Sequence, residues 1–538
     1  MLEKVTILAV SVIILVFPCL LLAVSASDYI NVSVSEAKQM IDSNSSIVIL
    51  DVRNQSEYDS KHIRSARLIP LYELGERLGE LNKTDTMLVY CQLGARSTAA
   101  SQLLADNSFL HVYNMIGGIT AWINEGYPVY IRYSSIQEAI NNANEGAAIF
   151  VSSGLYIEHV TVNKSIALVG ESKDTTIIDG AGGGTIFYVK ANNISISDFT
   201  IRYCGCACSG YCGVYVEGYH HNVNITNNHI VFNGYGIKID GTQRIIIAYN
   251  NITNNNSWST VIYNSSNILM LENIITNNLG GIDIENSTDT TVSSNTISNS
   301  IYGTWMSKSD NNTFFGNTFS SNTGGTHVEQ SNNNSVFRNN FVGNSYHAFS
   351  LDSVSFWDNG LEGNFWSGYN GTDLSSPYQN VTGSDGIGDT PYIIDANNQD
   401  NYPLMGMFSS FNTSLGYSLN VISNSTIEDF AYSESNSTIK MYVSNMTTNQ
   451  TYGFCRVCIP HTLMDVNTMT VIIDDGSTPV LYHNYALYDD EINRWIYFVY
   501  EHSTHKIDII PEFPSFIILQ LVMIATLLTV MYYRRELS

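Results

Sequence analysis

The chain has 538 residues, with 49 acidic against 24 basic side chains and a net charge of −25. It is too long for one ordinary domain and too acidic for a nucleic-acid partner. Charged residues make up only 14% of it, and eight cysteines over this length exclude a small disulfide scaffold.

The N-terminus carries Lys4, an apolar run from Val5 to Val24 and the small residues Ser25 and Ala26. This predicts a secretory signal over 1–26. An uncleaved anchor is the alternative, and Pro18 inside the run argues against it. Sequons such as Asn163-Lys-Ser, Asn224-Ile-Thr and Asn436-Ser-Thr agree with an exported, glycosylated surface.

Residues 28–131 alternate helical and strand patterns. Ser33-Val-Ser-Glu36 is a capping box that starts a helix running through Ile41. Ile47–Leu50 is a buried strand ending at Asp51-Val-Arg53. Met87–Tyr90 is another, running into Cys91-Gln92-Leu93-Gly94-Ala95-Arg96-Ser97 before a helix over Thr98–Ala105. A cysteine between a strand end and a helix start sits in a cradle of backbone N–H groups, which favours the nucleophilic thiolate. Arg96 adds a fixed cationic fork for an oxyanion.

Asp51-Val-Arg53, Glu57-Tyr58, His62-Ile63, Ala66, Ile69-Pro70, the Cys91–Arg96 loop and Gly117-Gly118-Ile-Thr-Ala121-Trp122 closely resemble the rhodanese family. The resemblance implies that Cys91 accepts a sulfane sulfur as a persulfide. It also implies that Arg96 and the amides of Gln92, Leu93, Gly94, Ala95 and Ser97 hold the donor, with a thiol as acceptor. Asp51 and Arg53 are expected to support the loop from beneath. The six-residue loop from Cys91 to Arg96 has the length of sulfur-transferring members, not of the related phosphatases. The sulfur chemistry requires no cofactor.

Over 132–408 the pattern changes. Ser134–Ala143 is amphipathic, with Ile136, Ala139, Ile140 and Ala143 on one stripe, and reads as a helix plugging the first coil of a solenoid. Asn228, Asn250, Asn273, Asn295, Asn317, Asn339 and Asn364 then lead seven similar triplets, at steps of 22, 23, 22, 22, 22 and 25 residues. Very short strands at this period predict a parallel β-helix, with the asparagines stacked as a ladder in the turns. The repeats resemble pectin-lyase-like right-handed β-helices, including NosD-like periplasmic proteins. Asn364–Asn370, Asp385–Tyr392 and Asn401–Leu404 resemble archaeal NosD-type surface proteins. That set contains both enzymes and binding modules.

Registering the coils predicts outward pairs Tyr215/Glu217, Lys238/Asp240, Val261/Tyr263, Asp283/Glu285, Trp305/Ser307, His327/Glu329 and Ser350/Asp352. Carboxylates interleaved with flat rings suit a polysaccharide, and Asp283 with Glu285 is the best candidate for a hydrolytic pair. Outward strand positions are polar by default, so a plain solvated face is the competing reading.

Cys204, Cys206, Cys208 and Cys212 fall on a loop that exceeds the repeat length. They read as two local disulfides, or as a soft-metal site for copper or zinc with His220 and His221 nearby. Asp385, Asp389 and Asp395 offer oxygens for calcium, against the simpler reading of a solvated turn.

Residues 409–510 read as strands of a small β-sandwich containing Cys455 and Cys458. The segment 511–538 carries an uncharged run, Phe516–Tyr533, before Arg534-Arg535. It predicts a C-terminal transmembrane helix, retained as an anchor or processed as a sorting signal. The fold class is therefore multidomain: a rhodanese-like α/β domain, a right-handed parallel β-helix, a β-sandwich and a membrane helix. The functional expectation is an exported surface sulfurtransferase whose β-helix binds glycan. The alternatives are a carbohydrate-binding or carbohydrate-cleaving protein with a non-catalytic rhodanese fold, and a NosD-like metal-handling maturation factor.

Overall fold

The computed structural model describes residues 29–376, 381–446, 450–464, 469–474, 480–482, 486–501 and 504–511. The chain forms two compact units, Met1–Asp179 with Ile194–Thr200, and Gly180–Asn193 with Ile201–Ser538.

The first unit opens with a parallel five-stranded sheet in the order Ile30–Val32, His111–Met115, Thr86–Tyr90, Val48–Asp51, Arg67–Leu68. The strands Thr86–Tyr90 and Val48–Asp51 are mostly apolar and buried because both faces of the sheet are covered there, as parallel sheets require. Leu50, Met87, Val89 and Leu104 pack in one core cluster, and Ile49, Leu88, Tyr90 and Trp122 in another. The helix Val34–Ser43 begins at Ser33, whose capping box with Glu36 is formed in both directions. The helix after Cys91 starts at Ala95, three residues before the expected Thr98. Gly94, at φ 113°, turns the chain so sharply that the helix begins inside the loop.

The same unit carries the first coils. The helix Ile136–Asn142 buries Ile136 and Ile140, and the Glu158 carboxylate accepts the N–H groups of Ile136 and Gln137. Strand Lys61–His62 pairs antiparallel with Tyr130–Ile131, and Ile131 pairs with Val151. Ala148–Val151, Ala167–Gly170 and Ile194–Ser197 continue as a parallel ladder.

In the second unit three parallel sheets run coil over coil. One stacks Cys212–Glu217, Tyr235–Asp240, Trp258–Tyr263, Gly280–Glu285, Tyr302–Ser307, Gly324–Glu329 and Tyr346–Leu351. Another aligns Ile230, Ile252, Ile275, Ile297, Phe319, Phe341 and Trp366 down the core. The buried asparagines Asn228, Asn250, Asn273, Asn295, Asn317, Asn339 and Asn364 form a continuous ladder. Each Nδ2 donates to the next Oδ1 at 2.9–3.1 Å. Sequence reading found this ladder and missed its companions. Asn233, Asn255 and Asn278 form one, and the serine hydroxyls of Ser265, Ser287, Ser309, Ser331 and Ser353 form another by accepting backbone N–H groups. A parallel coil leaves its turn amides without strand partners, and these side chains satisfy them.

Beyond the coils, two antiparallel five-stranded sheets enclose a core of Leu419, Val421, Ile439, Met441, Val457, Ile496, Phe498, Ile507 and Ile509. Cys455 and Cys458 lie on the same strand as separate buried thiols. The expected C-terminal transmembrane helix is corrected: no helix among the described residues is long and apolar enough to cross a membrane. The stretch on which it was placed, and the signal expected over 1–26, lie outside the described residues.

Candidate active site

Cys91 directly follows the strand Thr86–Tyr90 and is only 2% exposed. The Gly94 N–H donates to its Sγ at 3.1 Å. Burial opposes ionisation, but the Ser97 N–H and hydroxyl and the amides of Gly94 and Leu93 outweigh it, holding the thiol below its ordinary value. Ser97 lies in the first turn of the helix Ala95–Asp106, Gly94 is its N-cap and Leu93 precedes it, so the early start at Ala95 brings the helix N-terminus to the sulfur.

The loop is clamped from several sides. Ile119 N–H donates to the Cys91 carbonyl at 2.8 Å and Thr120 N–H to that of Gln92 at 3.2 Å. Gln92 Nε2 donates to Thr120 Oγ1 at 2.8 Å. A Cβ on Gly118 would lie 2.3 Å from the Cys91 carbonyl oxygen, and its φ of +59° disfavours any side chain. Leu93, by contrast, is exposed. Beneath the loop Arg53 and Asp51 form a buried ion pair at 2.7 Å, and Arg53 also donates to the Lys61 carbonyl at 2.7 Å and to Gln92 Oε1 at 3.4 Å.

Arg96 is engaged by a residue that sequence reading placed in the family motif but gave no role. Both its terminal nitrogens donate to Glu57, each at 2.7 Å. The Arg96 guanidinium pulls the Glu57 carboxyl down to about 2. Glu57 is also the capping-box residue of the helix Gln55–Ser60, so that cap positions the Arg96 partner.

Residues 33–125 match the rhodanese-like domain family. The thiosulfate sulfurtransferase GlpE of Coxiella burnetii is 38% identical over 76 residues, which cover 14% of this chain and 71% of that protein.

The chain belongs to the rhodanese family.

YrkF of Bacillus subtilis, named as a sulfur carrier protein, is 37% identical to the rhodanese-like segment over 98 residues, 18% of this chain and 53% of YrkF. The chain thus spans about half the length of that curated relative and 26% of MoeZ of Mycobacterium tuberculosis. A rhodanese-related crystal structure from Thermoplasma volcanium is 32% identical, covering 19% of this chain and 100% of its own, at a TM-score of 0.18, too low to carry a fold argument. Residues 219–371 match the family described as periplasmic copper-binding protein (NosD). Among the described residues no three His, Cys, Asp or Glu side chains are grouped so as to hold a metal ion.

The outward stripe of the coils is formed in register from Tyr215/Glu217 through His327/Glu329. The last pair differs, because His327 and Glu329 align with Phe349 and Leu351 and not with Ser350 and Asp352. Trp305 stacks on His327 at 3.8 Å, and His327 on Phe349 at 4.6 Å. Tyr235, Lys238, Asp240, Trp258, Val261, Tyr263, Asp283 and Glu285 line an open groove of about 290 Å³. Burial, then the charge of Glu285, pushes the Asp283 carboxyl up to about 7.

Sequence reading missed the rings Trp258 and Tyr302. They alternate with Gly280 and Gly324 at one register position, and a Cβ on Gly280 would strike the Trp258 ring at 2.3 Å. That aromatic–glycine alternation at the coil period is the signal that reveals them.

In the long loop Cys206 and Cys208 form a disulfide, while Cys204 and Cys212 are buried thiols. Asp385, Asp389 and Asp395 serve separate turns. Asp385 meets Arg456 at 3.2 Å, Asp389 accepts the Leu374 N–H at 2.6 Å, and Asp395 accepts that of Asn397 at 2.7 Å.

Proposed function

We propose that this is an exported sulfurtransferase that carries sulfane sulfur as a persulfide on Cys91. The observation that supports it is the convergence of the Gly94, Leu93 and Ser97 donors on one buried sulfur held toward the thiolate. The Cys91 thiolate attacks the outer sulfur of a donor such as thiosulfate, the sulfur–sulfur bond breaks, and sulfite leaves with the bonding pair. The same amides then hold the terminal persulfide sulfur until an acceptor thiolate removes it and Cys91 regains its thiolate. Arg96, anchored by Glu57, supplies positive potential for the anionic donor. Export is supported by the likeness of residues 219–371 to a family described as periplasmic.

Thiosulfate-to-cyanide transfer by the whole chain tests this reading, alongside intact-mass detection of one added sulfur. Cys91→Ser is expected to abolish both, and equal rates in the two proteins overturn the proposal.

A second reading concerns the coils, and the groove favours it. Trp258 and Tyr263 line the groove beside the Asp283 and Glu285 carboxyls, and Trp305 follows Asp283 in register on the next coil, a mix of rings and carboxyls that suits a glycan. A glycan array with Trp305→Ala and Asp283→Asn as controls tests it, and no binding by the parent chain refutes it.

A further inference from the structure

We propose that the Cys206–Cys208 bridge is a thiol–disulfide exchange site for low-molecular-weight thiols, insulated from the two cysteines that flank it. Both bridged residues are exposed and only two positions apart. Exposed disulfides are the exchangeable ones, because an attacking thiolate must reach a sulfur in line with the bond. Cys206 caps a 3-10 turn, Ala207–Ser209, that contains Cys208 and is closed by Gly210 in the left-handed region at φ 72°. Ala207, Ser209 and Gly210 around it are small, so the loop offers room for a small thiol to reach the bridge.

The flanking thiols are withdrawn. Cys204 is 7% exposed, accepts the Gly234 N–H at 3.0 Å and donates to the Gly205 carbonyl at 3.3 Å. Cys212 is fully buried and donates to the Gly210 carbonyl at 3.2 Å. Burial, and then the neighbouring Cys204, pushes the Cys212 thiol up to about 12, and burial raises Cys204 as well. Neither thiol therefore supplies a thiolate at neutral pH to scramble the bridge.

The bridge is also asymmetric. The Cys208 N–H donates to Cys206 Sγ at 3.2 Å, an interaction that stabilises charge on Cys206. Cys206 is thus the better leaving group. An external thiolate attacks Cys208 Sγ, the bridge breaks, and Cys206 departs as a thiolate held by that amide. A second external thiolate attacks the mixed disulfide, releasing the oxidised small thiol and leaving Cys208 as thiolate. The balance is two external thiols oxidised to one disulfide and one bridge reduced to two thiols, a two-electron exchange.

The test uses the full chain with Cys91→Ser as background, so that failure here is separable from failure of the sulfur-transfer reading. The native protein is equilibrated in glutathione buffers of graded ratio, quenched with N-ethylmaleimide, and mapped by peptide mass. Cys206 and Cys208 are expected to gain label together, with Cys204 and Cys212 labelled only after denaturation. Brief exposure of the native bridge to reduced glutathione before the quench is expected to trap glutathione on Cys208 at least tenfold more often than on Cys206. Labelling of Cys204 or Cys212 in step with the bridge, a bridge between other pairs, or no reduction of the native chain at any ratio would each overturn the proposal.

Discussion

His62 Nε2 lies 2.9 Å from the Glu171 carboxylate, and both side chains are buried. The contact ties the rhodanese-like fold to the coil that follows Ala167–Gly170. Glu171 also accepts the N–H groups of Ser65 and Ser153, so one carboxylate serves both partners. Burial works against its charge, but His62 and Ser153 outweigh it and bring the carboxyl down to about 2. A depressed carboxyl contributes stability that is complete above its ordinary value near 4.5 and is lost as pH falls toward 2. Glu171→Gln is expected to cost about 3 kcal/mol at neutral pH and to flatten that acid limb. Denaturant unfolding across the pH range measures both.

Releasing Arg96 from Glu57 alters donor capture. In Glu57→Gln the bidentate pair at 2.7 Å is lost and Arg96 carries more uncompensated charge beside Cys91. The KM for thiosulfate is expected to fall by about threefold, with kcat little changed. Steady-state kinetics at low and high salt checks this, since the gain must shrink with screening.

The alkylation rate of Cys91 by iodoacetamide is expected to reach its plateau below the pH of an ordinary thiol. Ser97→Ala removes a hydroxyl that lowers the Cys91 pKa, so its pH–rate curve must move to higher pH. The native thiolate also stabilises the fold above its unfolded pKa, an increment lost as pH falls through the lower folded value. Gly118→Ala, which drives a methyl into the Cys91 carbonyl, is expected to disorder the loop and erase the shift.

Each rung of the asparagine ladder is irreplaceable by an apolar residue. Asn295 Nδ2 donates to the Met270 and Ser293 carbonyls and to Asn317 Oδ1, while its own Oδ1 receives Asn273. Asn295→Ala strands several buried polar groups and is expected to cost about 2–4 kcal/mol. Thermal unfolding and limited proteolysis give the readout.

Asp283 works in the opposite sense to Glu171. Its carboxyl is raised to about 7 by burial and by Glu285, so its ionisation withdraws stability as pH climbs from the ordinary carboxyl range toward 7. Asp283→Asn is expected to be more stable than the parent at pH 8 and indistinguishable from it near pH 4, as read by calorimetry.

The cysteine loop, its helix and the coil period were legible in the sequence because each rests on local spacing. Cys91 with its small loop residues marks a strand–loop–helix turn, and recurring asparagines mark the coils. The contacts between distant segments were not legible. Nothing near Glu57 names Arg96, and nothing near His62 names Glu171. The register was read correctly from Tyr215/Glu217 through His327/Glu329, apolar Val261 and Trp305 included, and failed only at the last coil. At the last coil the outward residues are Phe349 and Leu351, so polarity pointed one residue too far while the 22-residue step pointed to the right place. The helix was started at Thr98 because propensity cannot see that Gly94 bends the chain early enough to admit Ala95.

The buried amide column has a consequence for descent. Each Oδ1 receives the previous rung and each Nδ2 serves the following one, so every interior unit presents identical upper and lower joints. Whole units can therefore be copied or excised without leaving a mismatched seam, in increments of about 4.8 Å. Partial ones cannot. The molecule is free to change its reach between generations while both ends keep their own chemistry.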